Sequence, residues 1–359
     1  MNNSTEITTK IQNNRIFTYD FIRAFAMIAV ILLHSSADFV SNFLPHSTQF
    51  TIGNIFNSIS RLGVPLFVML SGIFMLDENR PLPKEKLMHK ILKLTIILLV
   101  WSTFYALIYH YKKLFHHIFF GYVHLWYLYM TIGLYIITPI LRLFVKKINI
   151  KYLYYFVILS VIFQFCPKTI DIILGQHLHL YKFMNQFQLN ILFGYTTYYI
   201  LGWLIANDWE KINKHTKFIY SVGIISLITI FAGSQIYTTE LFKAYKIFYN
   251  NLGILNFIYS IAIFIFIKNI IQKFEDKIPK HIKNSITTIS NLSLGIYLIH
   301  MYVLKTIKSI LSCDLLNVTP NNTNPAILIV LFLILTFTLS FFIIFILNKI
   351  KGLNKIIHM

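Results

Sequence analysis

Arg23 and His34 stand eleven residues apart in an otherwise apolar stretch, Tyr-Asp-Phe-Ile-Arg-Ala-Phe-Ala-Met-Ile-Ala-Val-Ile-Leu-Leu-His from Tyr19 to His34. On a helix that separation is ~1,100° of rotation, which leaves the two side chains about 20° apart in azimuth and ~16 Å apart along the axis. One stripe then carries a fixed cation and a titratable imidazole, a pairing suited to holding an anionic substrate at one end and moving a proton at the other. Asp20, one turn before Arg23, is placed to neutralise it as an i,i+3 pair. A purely structural ion pair, with His34 merely reaching the outer interface, is the alternative that residue types alone leave open. Asp38, four residues past His34, would orient its imidazole if the helix runs that far. Arg61 is a second cation in an apolar run, and it could approach the same stripe. Pro65 and the Ser71-Gly72 pair that follow would kink that helix or admit a close neighbour.

The elements that carry these residues must cross a membrane. The chain has 359 residues, 56% of them hydrophobic and only 13% charged, too few charges for a soluble multi-domain enzyme or a disordered protein. Apolar runs near the ~20 residues that cross a bilayer lie at about 17–37, 52–76, 89–110, 122–144, 152–166, 188–206, 217–237, 252–268, 286–311 and 325–348. These predict an all-α, polytopic protein of about ten transmembrane helices, because lipid leaves helices and closed barrels as the only spanning structures. Residues 1–15 read as a short N-terminal segment, 16–349 as one membrane domain and 350–359 as a short tail. Asp20 and Arg23 inside the first run, without a small-residue cleavage site, argue against a removable signal peptide.

The net charge of +19 would suit nucleic acid in a soluble protein; in a membrane protein it sets topology. With the N-terminus inside, 22 Lys and Arg fall in inner segments, including Arg80, Lys84, Lys86, Lys90 and Lys93, and 8 fall outside. That bias predicts both termini in the cytoplasm. Only Arg23 and Arg61 are left within spans, where a cation costs roughly 2.5–3.5 kcal/mol on insertion scales and normally faces a cavity or a partner.

Other candidates are weaker. His124 and Trp126 fall at an outer interface, where an aromatic belt or acceptor binding would use them. Tyr297 and His300 lie one turn apart inside the ninth run, where buried hydrogen bonding competes with a substrate role. His116-His117 and His177-x-His179 sit in loops, and no metal-binding pattern stands out. Cys166 and Cys313 both fall outside, in a compartment that permits a disulfide.

Several segments resemble the membrane acyltransferase-3 family. They are the Arg–x10–His of the first run within Tyr-Asp-Phe-Ile-Arg-Ala, Val-Pro-Leu-Phe-Val-Met-Leu-Ser-Gly ending at Gly72, His124-Leu-Trp-Tyr-Leu128, and Ser293-Leu-Gly-Ile-Tyr-Leu-Ile-His300. In order, they cover most of the chain. The Arg61 form of the second segment looks closest to the inner-membrane O-acetyltransferases that modify enterobacterial common antigen. The family's Arg-x-x-Arg appears here as Lys90-Ile-Leu-Lys93, which keeps the charge and loses the bidentate fork. The His34–Asp38 spacing is also similar to the His-x-x-x-Asp of soluble acyltransferases.

The resemblance implies transfer of an acetyl group from cytoplasmic acetyl-CoA to a hydroxyl of a cell-surface or lipid-linked polysaccharide, in the cytoplasmic membrane of a bacterium. It needs no metal and no nucleic acid. His34 would be the base, with Arg23, Asp20 and Arg61 as its catalytic companions. Lys90, Lys93 and Lys86 would hold the CoA phosphates unless they are ordinary positive-inside anchors. His124, Trp126, Asp38, Tyr297 and His300 would contact the acceptor. No hydrolase-like domain follows the tenth run, so the chain is expected to complete transfer itself or to pass the acyl group to separate glycan-assembly proteins. The oligomeric state is left open. The competing reading is a polysaccharide exporter or flippase, which would not need a phosphate-binding patch beside a histidine.

Overall fold

The computed structural model describes residues 16–357 except 110, 175–178, 190–192, 242, 314 and 315. The expected N-terminal segment 1–15 and His177 lie outside the described residues. Every regular element among those described is helical. The long helices are α1 (Phe17–Asn42), α2 (Thr48–Ser60), α3 (Gly63–Met75), α4 (Lys84–Tyr109), α5 (Trp126–Lys147), α6 (Ile150–Ser160), α7 (Pro167–Ile173), α8 (Tyr195–Asn207), α9 (Thr216–Tyr237), α10 (Ile254–Phe274), α11 (Lys280–Leu311) and α12 (Pro325–Lys349).

Eight elements among the described residues are long and apolar enough to cross a membrane, counting α2 with α3 as one; a ninth is Ile150–Phe165, which begins with α6, taken with α7 and bent by 42° between them. The sequence led to an expectation of ten. Among the described residues the run at 188–206 yields α8, whose 13 residues reach ~20 Å, short of a ~30 Å hydrocarbon core. Every residue from Thr197 to Ile205 is buried. A helix buried on all sides is apolar all round, so composition alone cannot tell it from a span.

Two local features build the frame of the site. Between α2 and α3 the helix breaks at Arg61 and Leu62. Pro65 causes this: it has no N–H for the Arg61 carbonyl and its ring crowds that carbonyl. The ladder resumes with Leu66 N–H to the Leu62 carbonyl at 3.0 Å. Further along α3, a Cβ on Gly72 would stand 1.8 Å from the Tyr199 carbonyl oxygen, and one on Gly202 would stand 2.0 Å from that of Met69. α3 and α8 therefore touch backbone to backbone, the close approach that Gly72 allows.

α1 is the hub, packed against α2, α3, α10, α11 and α12. It runs parallel to α11, and three polar rungs join the two. Ser290 donates to Asp20 at 2.7 Å, the rings of His34 and His300 lie 5.2 Å apart, and Lys308 pairs with Asp38 at 2.7 Å.

Candidate active site

A cavity of about 1130 Å³ opens beside α1, walled by α3, α4, α5 and α11. Arg80, Lys86 and Lys90 give one end a cationic rim. Lys86, Lys90 and Leu94 are spaced by four and share a row on α4, so all three face the cavity; Lys93 falls off that row and off the wall. The turn bearing Arg80 is fastened by Arg142, whose guanidinium donates to the carbonyls of Met75 at 3.0 Å and of Asp77 and Arg80 at 2.9 Å each. Ile16, just before α1, and Asn348, near the end of α12, line the same cavity.

Deeper in, Ser290 joins the two charges of α1. Its hydroxyl donates to Asp20, and Arg23 Nη1 donates to it at 3.4 Å. Asp20 is only 4% exposed, and a carboxylate so placed requires such partners. The Arg23 guanidinium lies 5.5 Å from the Phe74 ring centre, with Arg80 4.8 Å from the same ring. Val30, Val64, Tyr127 and Tyr297 line the cavity's apolar depth. Val30 is one helical turn, ~6 Å, before His34.

Past that end lies a histidine cluster. The His34 and His124 rings each lie 5.2 Å from the His300 ring between centres. Carbonyl oxygens can only accept, so the carbonyl contacts fix the tautomers. His300 donates from Nδ1 to the Tyr297 carbonyl at 2.5 Å, and His124 from Nε2 to the Leu298 carbonyl at 3.3 Å. That leaves lone pairs on His300 Nε2 and His124 Nδ1, both buried and without a hydrogen-bond partner among the described residues. The Tyr297 hydroxyl donates to the His124 carbonyl. Tyr105 donates to the Leu298 carbonyl at 2.8 Å and accepts from the Tyr302 N–H at 3.2 Å. These are the i and i+4 groups that an uninterrupted helix joins directly, so Tyr105 braces the turn of α11 that carries His300.

The model of the acyltransferase-3 family, an acyltransferase domain, matches residues 16–345. This chain belongs to that family. No curated protein and no solved structure matches it. The family and the long apolar helices make this protein a multi-pass membrane acyltransferase.

Within the acyltransferase, the stripe of α1 is where the spacing put it, with Arg23 at the cavity and His34 at the cluster. Asp38 does not orient His34: it pairs with Lys308 near the end of the parallel helix α11, and its side chain is 53% exposed. Arg61 does not join Arg23, but its charge lies within electrostatic reach of His34. Its guanidinium donates to Asn57 Oδ1 and, at 3.4 Å, to the Tyr249 carbonyl, and lies 4.1 Å from the Tyr249 ring centre. His124 is no belt residue, being 2% exposed; Trp126, two residues on, is exposed and packs on Tyr195. Cys166 and Cys313 are free thiols. Among the described residues no group of three His, Cys, Asp or Glu is placed to hold a metal ion.

Ser290, Tyr105 and Tyr127 went unremarked in the sequence. Ser290 had a signal: Ser290, Ser293, Tyr297 and His300 are spaced three, four and three, a polar stripe facing that of α1. Tyr105 had none, because its role depends on a carbonyl of another helix.

Proposed function

We propose that this acyltransferase moves an acetyl group from cytoplasmic acetyl-CoA to a hydroxyl of a cell-surface or lipid-linked polysaccharide, in the cytoplasmic membrane of a bacterium. The observation that carries the reading is the cavity, cationic at one end and apolar at the other, which stops one turn short of His34. Point charges at its rim suit a phosphate-bearing donor. The positive-inside bias supports a cytoplasmic rim, and the shared lining by Ile16 and Asn348 supports both termini on that side.

In this reading Lys86, Lys90 and Arg80 hold the CoA phosphates, with Lys93 adding a more distant charge. The acyl-bearing arm passes Arg23 and brings the thioester to the end lined by Val30 and Tyr297. His34 takes the proton of the acceptor hydroxyl as that oxygen attacks the thioester carbon, and returns it to the departing thiolate. Arg23 is ~16 Å from His34 along α1, so it serves the donor rather than the oxyanion. The resemblance of the Arg61 segment to the common-antigen O-acetyltransferases is a guide to the acceptor.

The test is labelled acetyl-CoA supplied to the purified protein in liposomes with an acceptor glycan. General-base catalysis typically contributes ~10²–10⁴-fold, and His34→Ala should lose that much with normal assembly. Undiminished acetylation by His34→Ala removes the assignment. Glycan movement without consumption of acetyl-CoA would favour the exporter.

A further inference from the structure

A histidine that acts as a base works best when a second group accepts from its other nitrogen and so fixes its tautomer and angle. The sequence offered Asp38 for this, and Asp38 is engaged by Lys308 at 2.7 Å. The residue that faces the His34 ring is His300, 5.2 Å away and tilted by 46°. At that separation a ring rotation brings two nitrogens within the ~3 Å of a hydrogen bond.

We propose that His300 is the positioning residue of His34, accepting at Nε2 the N–H of the His34 imidazole and leaving the other His34 nitrogen free for the acceptor hydroxyl. The proposal rests on the reading of His34 as the base of acetyl transfer. Three observations support it. The Nδ1 proton of His300 is committed to the Tyr297 carbonyl, so Nε2 bears a lone pair. That lone pair is buried and has no donor among the described residues, an expensive state for a polar atom unless a donor meets it in the working enzyme. And the turn carrying His300 is fixed from both flanks, by Tyr105 across the Leu298 carbonyl and by Tyr297 on the His124 carbonyl.

The roles of the two rings differ by access. His300 is fully buried whereas His34 is partly exposed, so His34 is the one that substrate can meet. A neutral imidazole as the accepting group also spares the helix interior a second buried charge. The proton balance leaves His300 unchanged. The acceptor O–H bond breaks and His34 gains the proton, the new C–O bond forms as the thioester C–S bond breaks, and the thiolate takes the proton from His34. Through the cycle His300 keeps its own proton on Nδ1.

The same liposome assay tests this with three variants. Glutamine can place an oxygen near Nε2, so His300→Gln should keep kcat within about tenfold of wild type. His300→Phe fills the volume without an acceptor, and His300→Asn keeps a polar group only near Nδ1. Both should lose kcat by about 10–100-fold, the usual effect of losing such an outer partner, with KM for acetyl-CoA within twofold. Equal losses in all three variants, or wild-type kcat in His300→Phe or His300→Asn, would overturn the proposal. The Asn variant keeps the test open if the bulkier Phe prevents assembly. Transfer that needs His34 but ignores His300 removes only the positioning role. No transfer by wild type, or full transfer by His34→Ala, removes the reading of acetyl-CoA and His34 beneath it.

Discussion

Arg23 and Arg61 each interrupt an apolar helix, and each would strain a bilayer equally if left to lipid. Arg23 borders a cavity of about 1130 Å³ and meets Asp20 through the hydroxyl of Ser290. Arg61 sits at the break that Pro65 makes and enters a packed polar network. It bonds Asn57 and the Tyr249 carbonyl, the Tyr249 hydroxyl donates to Asn54 Oδ1 at 2.5 Å, and Asn54 donates to the Phe231 carbonyl at 3.1 Å and to Gln235 at 3.2 Å. A cation inside a membrane protein thus signals only that partners are required. Whether space for a ligand lies beside it separates a site from a joint.

The largest effect expected is on the helix common to both regions. α3 begins just past Arg61 and supplies Phe74 and Ser71 to the cavity wall. Gly72→Val puts side-chain atoms into the backbone of α8 and should abolish recovery of monodisperse protein on size-exclusion chromatography. Gly133→Val, where a Cβ meets nothing within 4 Å, should elute like wild type. Similar elution of Gly72→Val and wild type would show that the two regions do not depend on this contact.

Next come the arginines themselves, with opposite signatures. Arg23→Gln should lower kcat/KM for acetyl-CoA by about 10²-fold, the loss of about two charge-assisted hydrogen bonds, and lower the melting temperature less than Arg61→Leu does, since Ser290 still donates to Asp20. Arg61→Leu strands the Asn57 amide oxygen and the Tyr249 carbonyl at ~1–3 kcal/mol each. It should lower the melting temperature while the folded fraction turns over at close to the wild-type rate. Equal losses of turnover without loss of stability would break the distinction between site and joint.

At the cavity rim the contrast is finer. Lys90→Gln should raise KM for acetyl-CoA by about fivefold, an effect that fades with added salt because it is a partly exposed charge contact. Lys93→Gln, off the cavity row, should change KM less than twofold. A larger effect at Lys93 would place the donor phosphates on the other face of α4.

Periodicity made much of this arrangement legible. The Arg23–His34 stripe, the apolar runs and the small residue needed at Gly72 are properties of single helices, and the structure repeats them. What the sequence hid depends on partners. Asp38 has the right spacing for His34 but a better-placed cation in Lys308, 270 positions away. Arg61 has the hydropathy signature of a functional charge, and only the arrival of Asn57 and Tyr249 shows how the fold holds it. His124 looked interfacial because its run begins there, yet Tyr105, Tyr122 and Tyr297 close over it. α8 is buried from Thr197 to Ile205, and burial in protein and burial in lipid select the same residues, so composition alone does not count the spans.

The smallest effect separates the third rung of α1 and α11 from the second. The Asp38–Lys308 pair is short but half solvated, and exposed pairs of this kind contribute ~0.2–1 kcal/mol. Asp38→Asn should therefore shift the melting temperature slightly and keep kcat within twofold of wild type. The substitution preserves shape and removes only the charge, so it isolates an electrostatic duty toward His34. A tenfold fall in kcat would mean that the carboxylate leaves Lys308 to serve the imidazole during turnover. His34 would then be oriented from its own helix, and the lone pair of His300 would need another donor.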